Sequence, residues 1–321
     1  MEDKEEEAQR LPCVALATTK RFRQEKRDQF AAFLVAHAAW LCAHTRLFLT
    51  GRTYDEAVKL LKEARENGNL DALDPEAFAK SATQLPPGSV GVVAVAFELI
   101  EGRMSAVFHL SHWKDINATF EMRAMKRQAL VHNVLYADSA HMAEALVTGW
   151  KNGSTCLSPV SPGPEKRLVP LDNMKGKRTL ALIAHDAKKL DACLLAVENL
   201  PILLSFDYII CTGTTGGWIS KFLSAAACHQ SSTAISGSDL SKKIIRCESG
   251  PLGGDVQIAH CALNGLCAHV IFLIDPMTSH PHEPDIHFFE QVLDANEAHH
   301  VQLATNLQSA EYLLSQFNKN K

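Results

Sequence analysis

Short apolar runs alternate with longer amphipathic segments along the whole chain. In the first half, runs of strand length occupy residues 13–17, 47–49, 106–110 and 134–136. In the second half, they occupy residues 180–184, 208–211, 244–247, 270–274 and 301–304. Strands that alternate with helices favour an α/β fold with a mainly parallel central sheet.

The segments between these runs repeat apolar residues with the period of a helix. Helices are predicted at 30–42, 53–67, 90–100, 118–131, 139–147, 188–200, 218–227, 256–266, 285–295 and 309–317. The Gly- and Thr-rich segment 212–217 is predicted to be a loop, and residues 70–87 have a mixed pattern that ends in a Pro-Pro-Gly turn.

Changes in composition along the chain predict two domains. Residues 1–12 are rich in Glu, and residues 151–177 are rich in Gly, Ser, Pro and Lys, as linkers are. We therefore expect a disordered acidic tail at 1–12, a first domain at 13–150, a linker at 151–177 and a second domain at 178–321. The Ser-rich stretch 230–241 is predicted to be a mobile surface insertion.

The two halves also resemble each other, which indicates an internal duplication. Thr50-Gly51-Arg52-Thr53 corresponds to Thr212-Gly213-Thr214-Thr215, for example, and Gly88-Ser89-Val90-Gly91 to Gly250-Pro251-Leu252-Gly253. The polar positions differ between the halves. This comparison places Thr18-Thr19 opposite His185-Asp186, Arg52 opposite Thr214, and Val93 opposite Asp255.

Composition and charge exclude several functional classes. The net charge of −4 gives no electrostatic footprint for nucleic acid and no polybasic patch for a membrane surface. The nine cysteines form no C-x-x-C pair, so buried free thiols in a reducing compartment are expected. A Glu-rich start is unlike a signal peptide, and no apolar run is long enough to span a bilayer. We expect a soluble cytoplasmic protein.

Polar side chains in the second half collect where the predicted strands end. Because the carboxyl ends of parallel strands meet at one edge of a sheet, these side chains are expected to converge there. They are His185, Asp186, Lys189, Thr212, Gly213, Thr214, Thr215, Ser249, Gly250, Asp255, Asp275, His282 and Asp285.

Each group has a structural alternative. Asp255, after a Gly-rich loop, is either a helix N-cap or a chemically active carboxylate. The segment 212–216 is either a turn with a helix cap or, with Lys189, a phosphate cradle. His282 and Asp285 are either a capping pair or metal ligands, although their run lacks a recognised zinc spacing.

The motifs taken together resemble the methylglyoxal synthase family over residues 177–317. They are Ala-His-Asp at 184–186, Thr-Gly-Thr-Thr-Gly at 212–216, Ser-Gly-Pro-Leu-Gly-Gly-Asp at 249–255, Asp-Pro at 275–276, Pro-His-x-Pro-Asp at 281–285 and Ala-Thr-Asn at 304–306. The resemblance implies two tandem three-layer α/β/α domains, the first a degenerate copy. It also implies a lyase that converts dihydroxyacetone phosphate to methylglyoxal and inorganic phosphate without a metal or an organic cofactor.

The resemblance also implies roles for individual residues. Asp255 matches the catalytic base, and the other catalytic positions are Asp186, Asp275, His282 and Asp285. The substrate- and phosphate-binding positions are His185, Lys189, Thr212, Gly213, Thr214, Thr215, Ser249, Gly250 and His282. Either His282 or His185 could stabilise the developing oxyanion. The family often has an arginine where this chain has Gln291, which is a departure from its pattern. Because members of the family form oligomers, a homo-oligomer is expected, and inorganic phosphate, as the product, is expected to inhibit it.

A sensor is the competing class of function. The same fold resembles the allosteric domain of carbamoyl phosphate synthetase, which binds effectors and performs no chemistry. The alternative for this chain is therefore a non-catalytic protein that senses phosphorylated metabolites. The first half, which lacks the base, fits either a sensor or a purely structural partner.

Overall fold

A computed structural model of the protein describes residues 11–69, 71–112, 115, 120–153, 171–229, 242–279, 282–294 and 301–317. The chain divides into two compact units, which we call the N-terminal unit (Met1–Lys166) and the C-terminal unit (Arg167–Lys321). Most of the predicted acidic tail, residues 154–170 of the predicted linker and the predicted insertion at 230–241 lie outside the described residues. The described part of the chain contains no helix with the length and apolar character needed to cross a membrane.

A five-stranded sheet forms the centre of the N-terminal unit. Its strands are β1 (Cys13–Thr18), β2 (Arg46–Leu49), β3 (Ala82–Gln84), β4 (Ala106–Leu110) and β5 (Leu135–Ala137). They lie in the order β3-β2-β1-β4-β5, and every pair is parallel. Strand β3 was not predicted, because three residues with two exposed side chains carry little apolar pattern.

The C-terminal unit contains a second sheet of the same design. Its strands are β6 (Thr179–Ala184), β7 (Tyr208–Cys211), β8 (Ile244–Arg246), β9 (His269–Leu273) and β10 (Gln302–Ala304). They lie in the order β8-β7-β6-β9-β10, again all parallel. The predicted α/β fold with parallel sheets is confirmed.

Helices flank both sheets. In the N-terminal unit they are α1 (Lys20–Glu25), α2 (Arg27–His44), α3 (Gly51–Glu66), α4 (Pro75–Ser81), α5 (Ser89–Ile100), α6 (Phe120–Val131) and α7 (Ala140–Lys151). In the C-terminal unit they are α8 (Lys189–Glu198), α9 (Leu200–Leu204), α10 (Gly213–His229), α11 (Gly254–Leu263), α12 (Glu283–Asp294) and α13 (Leu307–Ser315). Two short 3₁₀ turns, Asp186–Lys188 and Gly250–Leu252, precede α8 and α11.

One helix boundary corrects the sequence interpretation. Residues 212–217 were predicted to form a loop, but α10 begins at Gly213, so this segment is the first turn of a helix. Glycine and β-branched threonine have low helix propensity, which is why the local sequence favoured a loop. The helix therefore starts directly at the carboxyl end of β7.

The central strand of each sheet is buried on both faces. All six residues of β6 are buried, as are all six of β1, because helices cover both sides of a parallel sheet. Strand β6 lies between β7 and β9, where the chain changes its direction of progress across the sheet. Ligands of open α/β sheets bind in the crevice at such a point, outside the carboxyl ends of the strands.

Strand register relates the two units position by position. Thr18 pairs with Leu110 in the first sheet as Ala184 pairs with Leu273 in the second. The positions that follow therefore correspond as Thr19-Lys20 to His185-Asp186. The sequence comparison, which used Thr18-Thr19, was wrong by one residue because the five-residue apolar run ends one position before the end of β1 but at the last position of β6.

A second correction concerns the position that corresponds to Asp255. A Cβ atom on Gly91 would overlap the carbonyl oxygen of Pro86, and one on Gly254 would overlap that of Glu248. These two glycines therefore correspond, and Val92 rather than Val93 corresponds to Asp255. Four residues (87–90) separate Pro86 from Gly91 in the N-terminal unit, and five (249–253) separate Glu248 from Gly254 in the C-terminal unit.

Candidate active site

The carboxyl ends of β6, β7, β8 and β9 bring the predicted polar side chains to one edge of the C-terminal sheet. Most of these groups are buried, which is unusual for charged and polar residues and therefore informative. The buried ones are His185, Lys189, Thr212, Thr215, Asp255, Asp275, His282 and Asp285.

Asp255 lies in the first turn of α11. The residue at the N-cap is Gly253, in the left-handed conformation with φ of 104°, and Asp255 is the second residue of the helix. The interpretation of Asp255 as the N-cap is therefore wrong. Its side chain is 1% exposed, and a carboxylate is stabilised near a helix N-terminus by the peptide dipoles.

His282 is the neighbour of this carboxylate. Its Nε2 atom lies 3.4 Å from Oδ2 of Asp255. A Cβ atom on Gly250 would lie 2.9 Å from Nε2 of His282 and 3.1 Å from Oδ2 of Asp255. Only glycine fits beneath this pair, so the loop backbone itself forms one wall of the site.

The loop between β8 and α11 is fixed by two further contacts. The buried side chain of Gln257 accepts a hydrogen bond from the backbone N–H of Glu248 at 2.9 Å. The close approach of Gly254 to Glu248 fixes the other end of the loop. Sequence reasoning missed Gln257, for which the only signal was one amide side chain inside an apolar helix.

His185 follows β6 and faces the same site. The backbone N–H of Asp275 donates to Nδ1 of His185 at 2.9 Å. Because an amide N–H can only donate, Nδ1 is the acceptor, and the neutral ring then carries its hydrogen on Nε2. The ring packs edge to face against Phe272 (centroids 5.1 Å apart) and His282 (6.2 Å). These contacts make His185 a fixed, neutral hydrogen-bond donor.

Asp275 organises the loop that holds this amide. Its carboxylate accepts from the backbone N–H of Met277 at 3.0 Å and from the hydroxyl of Thr278 at 2.5 Å. A turn closed in this way orients the Asp275 N–H toward His185. The observed contacts of Asp275 are thus positioning contacts, and its implied catalytic role stays a prediction.

Lys189 and Asp186 form an ion pair at the edge of the site. The lysine side chain is 10% exposed, whereas that of Asp186 is 94% exposed. Lys189 is therefore packed into the protein, and its ammonium group is held by Asp186, two residues after the end of β6.

Two threonine hydroxyls that were predicted to bind substrate are hydrogen-bonded inside the protein. Thr212 donates to Thr215 at 2.9 Å, and Thr215 donates to the carbonyl oxygen of Ala184 at 3.3 Å. The side chain of Thr214, by contrast, is exposed. Thr214 therefore carries the hydroxyl of this segment that is exposed to a ligand.

The same hydroxyl pair occurs in the N-terminal unit. The hydroxyl oxygens of Thr50 and Thr53 lie 2.8 Å apart, and the Thr53 hydroxyl accepts a hydrogen bond from the backbone N–H of Thr18 at 3.0 Å. Because the pair persists where Val92 stands in place of Asp255, its common role is to tie the start of the helix to the central strand.

Asp285 completes the buried acids of the site. It lies in the first turn of α12, and its backbone N–H donates to the carbonyl oxygen of His282 at 2.8 Å. This backbone contact brings both side chains to the start of the same helix. Within the described residues, no three His, Cys, Asp or Glu side chains are grouped so that they could hold a metal ion.

We compared the chain with protein-family models and with known proteins. No protein-family model matches the chain. A protein named methylglyoxal synthase from Burkholderia multivorans is 41% identical over 138 residues, which are 43% of this chain and 90% of that protein. Another from Thermus thermophilus is 37% identical over 142 residues, 44% of this chain and 96% of that protein.

A solved structure is also similar. The crystal structure of methylglyoxal synthase from Elizabethkingia anophelis is 30% identical, with a TM-score of 0.35, and the match covers 43% of this chain and 78% of that one. The family assignment depends on the sequence relatives, because the matched region spans nine tenths of one that is 41% identical. The chain therefore belongs to the methylglyoxal synthase family.

Proposed function

We propose that the C-terminal unit converts dihydroxyacetone phosphate to methylglyoxal and inorganic phosphate. The observation that carries the proposal is the buried carboxylate of Asp255, in the first turn of α11 and 3.4 Å from Nε2 of His282. A carboxylate in this position is suited to take a proton from carbon, the step that begins the reaction.

Asp255 acts as the general base in this proposal. It removes a proton from the hydroxymethyl carbon of the ketone, and the electron pair of that C–H bond forms an enediolate. The oxygen that gains negative charge needs a fixed donor in a site from which water is excluded. His185 suits this role because its Nε2–H can donate a hydrogen bond to that oxygen while the ring stays neutral. His282, whose Nε2 atom lies 3.4 Å from Oδ2 of Asp255, is the second histidine of the site.

Collapse of the enediolate completes the reaction. The hydroxyl on the carbon that was deprotonated loses its proton and becomes the aldehyde carbonyl, and the C=C bond shifts to the carbon that carries phosphate. The C–O bond to phosphate breaks, phosphate leaves with the electron pair of that bond, and the enediolate oxygen takes up a proton. The enol that remains takes up a proton at its terminal carbon and loses its hydroxyl proton, which gives methylglyoxal. In this proposal, Lys189 and Thr214, which lies in the first turn of α10, hold the leaving phosphate.

Replacement of Asp255 tests the proposal. Asp255→Asn preserves the shape of the side chain and removes its basicity, so methylglyoxal formation from dihydroxyacetone phosphate should fall by at least ~10³-fold. The measurement uses the purified full-length chain. Asp191→Asn is the control, because Asp191 is a half-exposed acid in α8 that pairs with Lys188 at 3.4 Å.

Two outcomes would contradict the proposal. If Asp255→Asn keeps near-normal turnover, Asp255 is not the base. If the wild-type chain binds phosphate but forms no methylglyoxal, the sensor class described above is favoured instead.

The proposal extends to the organisation of the chain. We propose that the N-terminal unit is a catalytically inactive copy of the C-terminal unit, which is supported by the shared strand order and by Val92 in place of the base. We also propose a homo-oligomer. Its support is a set of exposed apolar side chains on the C-terminal unit, among them Leu190, Trp218 and Met277.

A further inference from the structure

Two arginines in the N-terminal unit replace groups of the proposed phosphate cradle. Arg23 follows Thr19 by four residues, as Lys189 follows His185, so Arg23 corresponds to Lys189. Gly51 donates its N–H to the carbonyl oxygen of Pro86 at 3.3 Å, as Gly213 donates to that of Glu248 at 2.8 Å. Arg52, the next residue, therefore corresponds to Thr214.

Arg23 is held in place by one arm of its guanidinium group. Its Nη1 atom donates to the carbonyl oxygen of Thr18 at 2.5 Å and to the hydroxyl of Thr18 at 2.9 Å. Within the described residues, its Nε and Nη2 groups make no further hydrogen bond and its charge has no carboxylate within ion-pair distance. The remaining donors of a rigid fork are thus available to another acceptor.

Arg52 is the second residue of α3, and its side chain is exposed. Its positive charge lies close enough to Arg23 to lower the pKa of that side chain, adding to the larger effect of burial and opposed by Glu56. Arg52 is thus in the first turn of this 16-residue helix, and Arg23 bonds to the hydroxyl of Thr18, which lies 2.9 Å from that of Thr53 in the same turn. The N-terminus of a helix itself favours anions.

Arg27, four residues after Arg23, differs from Arg23 and Arg52 because carboxylates pair with it. Arg27 lies between Glu56 and Glu63, with an ion pair of 2.8 Å to each. Asp115, the acid nearest Thr19, accepts from its hydroxyl at 2.5 Å and from the backbone N–H of His112 at 2.9 Å. Its Oδ2 atom is thus already engaged by two donors.

We propose that the N-terminal unit binds a phosphate group between Arg23 and Arg52 at the N-terminus of α3, and leaves the ligand chemically unchanged. Guanidinium forks and helix amides match the geometry and charge of phosphate. Val92 at the position of the base cannot accept a proton, so the bound molecule is not turned over. The ligand is either inorganic phosphate or a small phosphate ester, and the inference does not depend on whether the C-terminal unit is catalytic.

Calorimetric titration of the full-length chain with inorganic phosphate, at low ionic strength, tests this site. Arg52→Glu reverses an exposed charge and should remove one binding event per chain, or weaken it at least ~10-fold, without a change in unfolding temperature. Arg23→Gln should also weaken phosphate binding, because it removes the second guanidinium group of the proposed site. Arg21→Glu is the matched control, because Arg21 lies in the same short helix and pairs with Glu25 at 3.3 Å.

The same titration with glycerol 3-phosphate distinguishes the two ligand sources, because an ester that binds more tightly at the Arg52-dependent site identifies a phosphorylated metabolite. The inference is overturned if Arg52→Glu binds as many phosphates as the wild-type chain with the same affinity. It is also overturned if Arg21→Glu weakens binding as much as Arg52→Glu does. Turnover by the C-terminal unit is measured separately, so its failure would leave this result unaffected.

Discussion

At the scale of single residues, the candidate site is shaped by backbone as much as by side chains. Gly250 allows the loop to pass directly beneath Asp255 and His282. The backbone N–H of Asp275 sets which nitrogen of His185 carries its hydrogen. A list of catalytic side chains would therefore leave out the contacts that fix their positions.

Gly250→Ala tests this view. The added Cβ atom would lie 2.9 Å from Nε2 of His282, so the imidazole must move away from Asp255. We expect turnover to fall by about 10²-fold, the scale of a small misplacement of reacting groups, with little change in unfolding temperature. The control is Gly217→Ala, where the added atom would meet only the flexible end of Arg246 at 3.1 Å. Equal activity of the two variants would contradict the assigned role of the loop.

At the scale of elements, each central strand is tied to the helix that follows its neighbouring strand. In the C-terminal unit the tie runs from Ala184 through Thr215 to Thr212, and in the N-terminal unit from Thr18 through Thr53 to Thr50. This repeated tie anchors the helix start at the edge of the sheet where the polar groups collect.

Thr215→Val and Thr53→Val form a matched pair of tests. Each change keeps the shape of the side chain and leaves buried hydrogen-bonding partners unsatisfied, so each should lower the free energy of unfolding of its own unit by about 1–3 kcal/mol. Chemical denaturation measures this loss. If Thr215→Val lowers turnover but leaves stability unchanged, the hydroxyl serves substrate rather than the tie.

These elements also show how far the sequence could lead. The apolar periodicity predicted the alternating strands and helices, and the polar residues at strand ends predicted the convergence at the carboxyl edge. The sequence pattern could not predict that α10 begins at Gly213, because this start is fixed by a hydrogen bond to Glu248, which is distant along the chain. For the same reason it could not reveal that Thr212 and Thr215 bond each other, since hydroxyl direction depends on tertiary packing.

At the scale of the whole molecule, each unit has its own core, and the two cores differ in their buried polar groups. In the N-terminal unit His109 occupies the position of Phe272, as the strand registers show. Burial, with a smaller effect from Lys126, lowers the pKa of His109 from 6.5 to about 4. Burial lowers the pKa of His37 in the same unit as well.

This difference predicts a pH-dependent stability of the N-terminal unit. Between pH 6.5 and about 4, the unfolded chain binds a proton at His109 that the folded unit does not, so the free energy of unfolding falls as pH falls. The full loss from His109 is about 3 kcal/mol, since each pKa unit is worth about 1.4 kcal/mol. Tryptophan fluorescence reports mainly on this unit, because Trp40, Trp113 and Trp150 belong to it and only Trp218 does not.

The double variant His109→Phe/Tyr136→Phe should flatten this dependence, since it removes the titrating ring and the hydroxyl that bonds to it at 2.7 Å. Denaturation curves at pH 7 and pH 4.5 measure the effect. His141→Phe, at an exposed position, is the control. If the free energy of unfolding of the double variant falls between pH 7 and pH 4.5 as much as that of the wild-type chain, other groups govern the acid sensitivity.

The length of the loop before α5 has a consequence for the evolutionary history of the chain. The N-terminal loop is one residue shorter than its counterpart, and Pro87 takes the place of a residue that carries an N–H group. A Val92→Asp substitution alone would restore an acid, but it would leave Thr19 at the position of His185 and the segment one residue short. On the proposal that this unit is catalytically inactive, one substitution would therefore not restore activity, and selection would act on what the unit binds and how it folds.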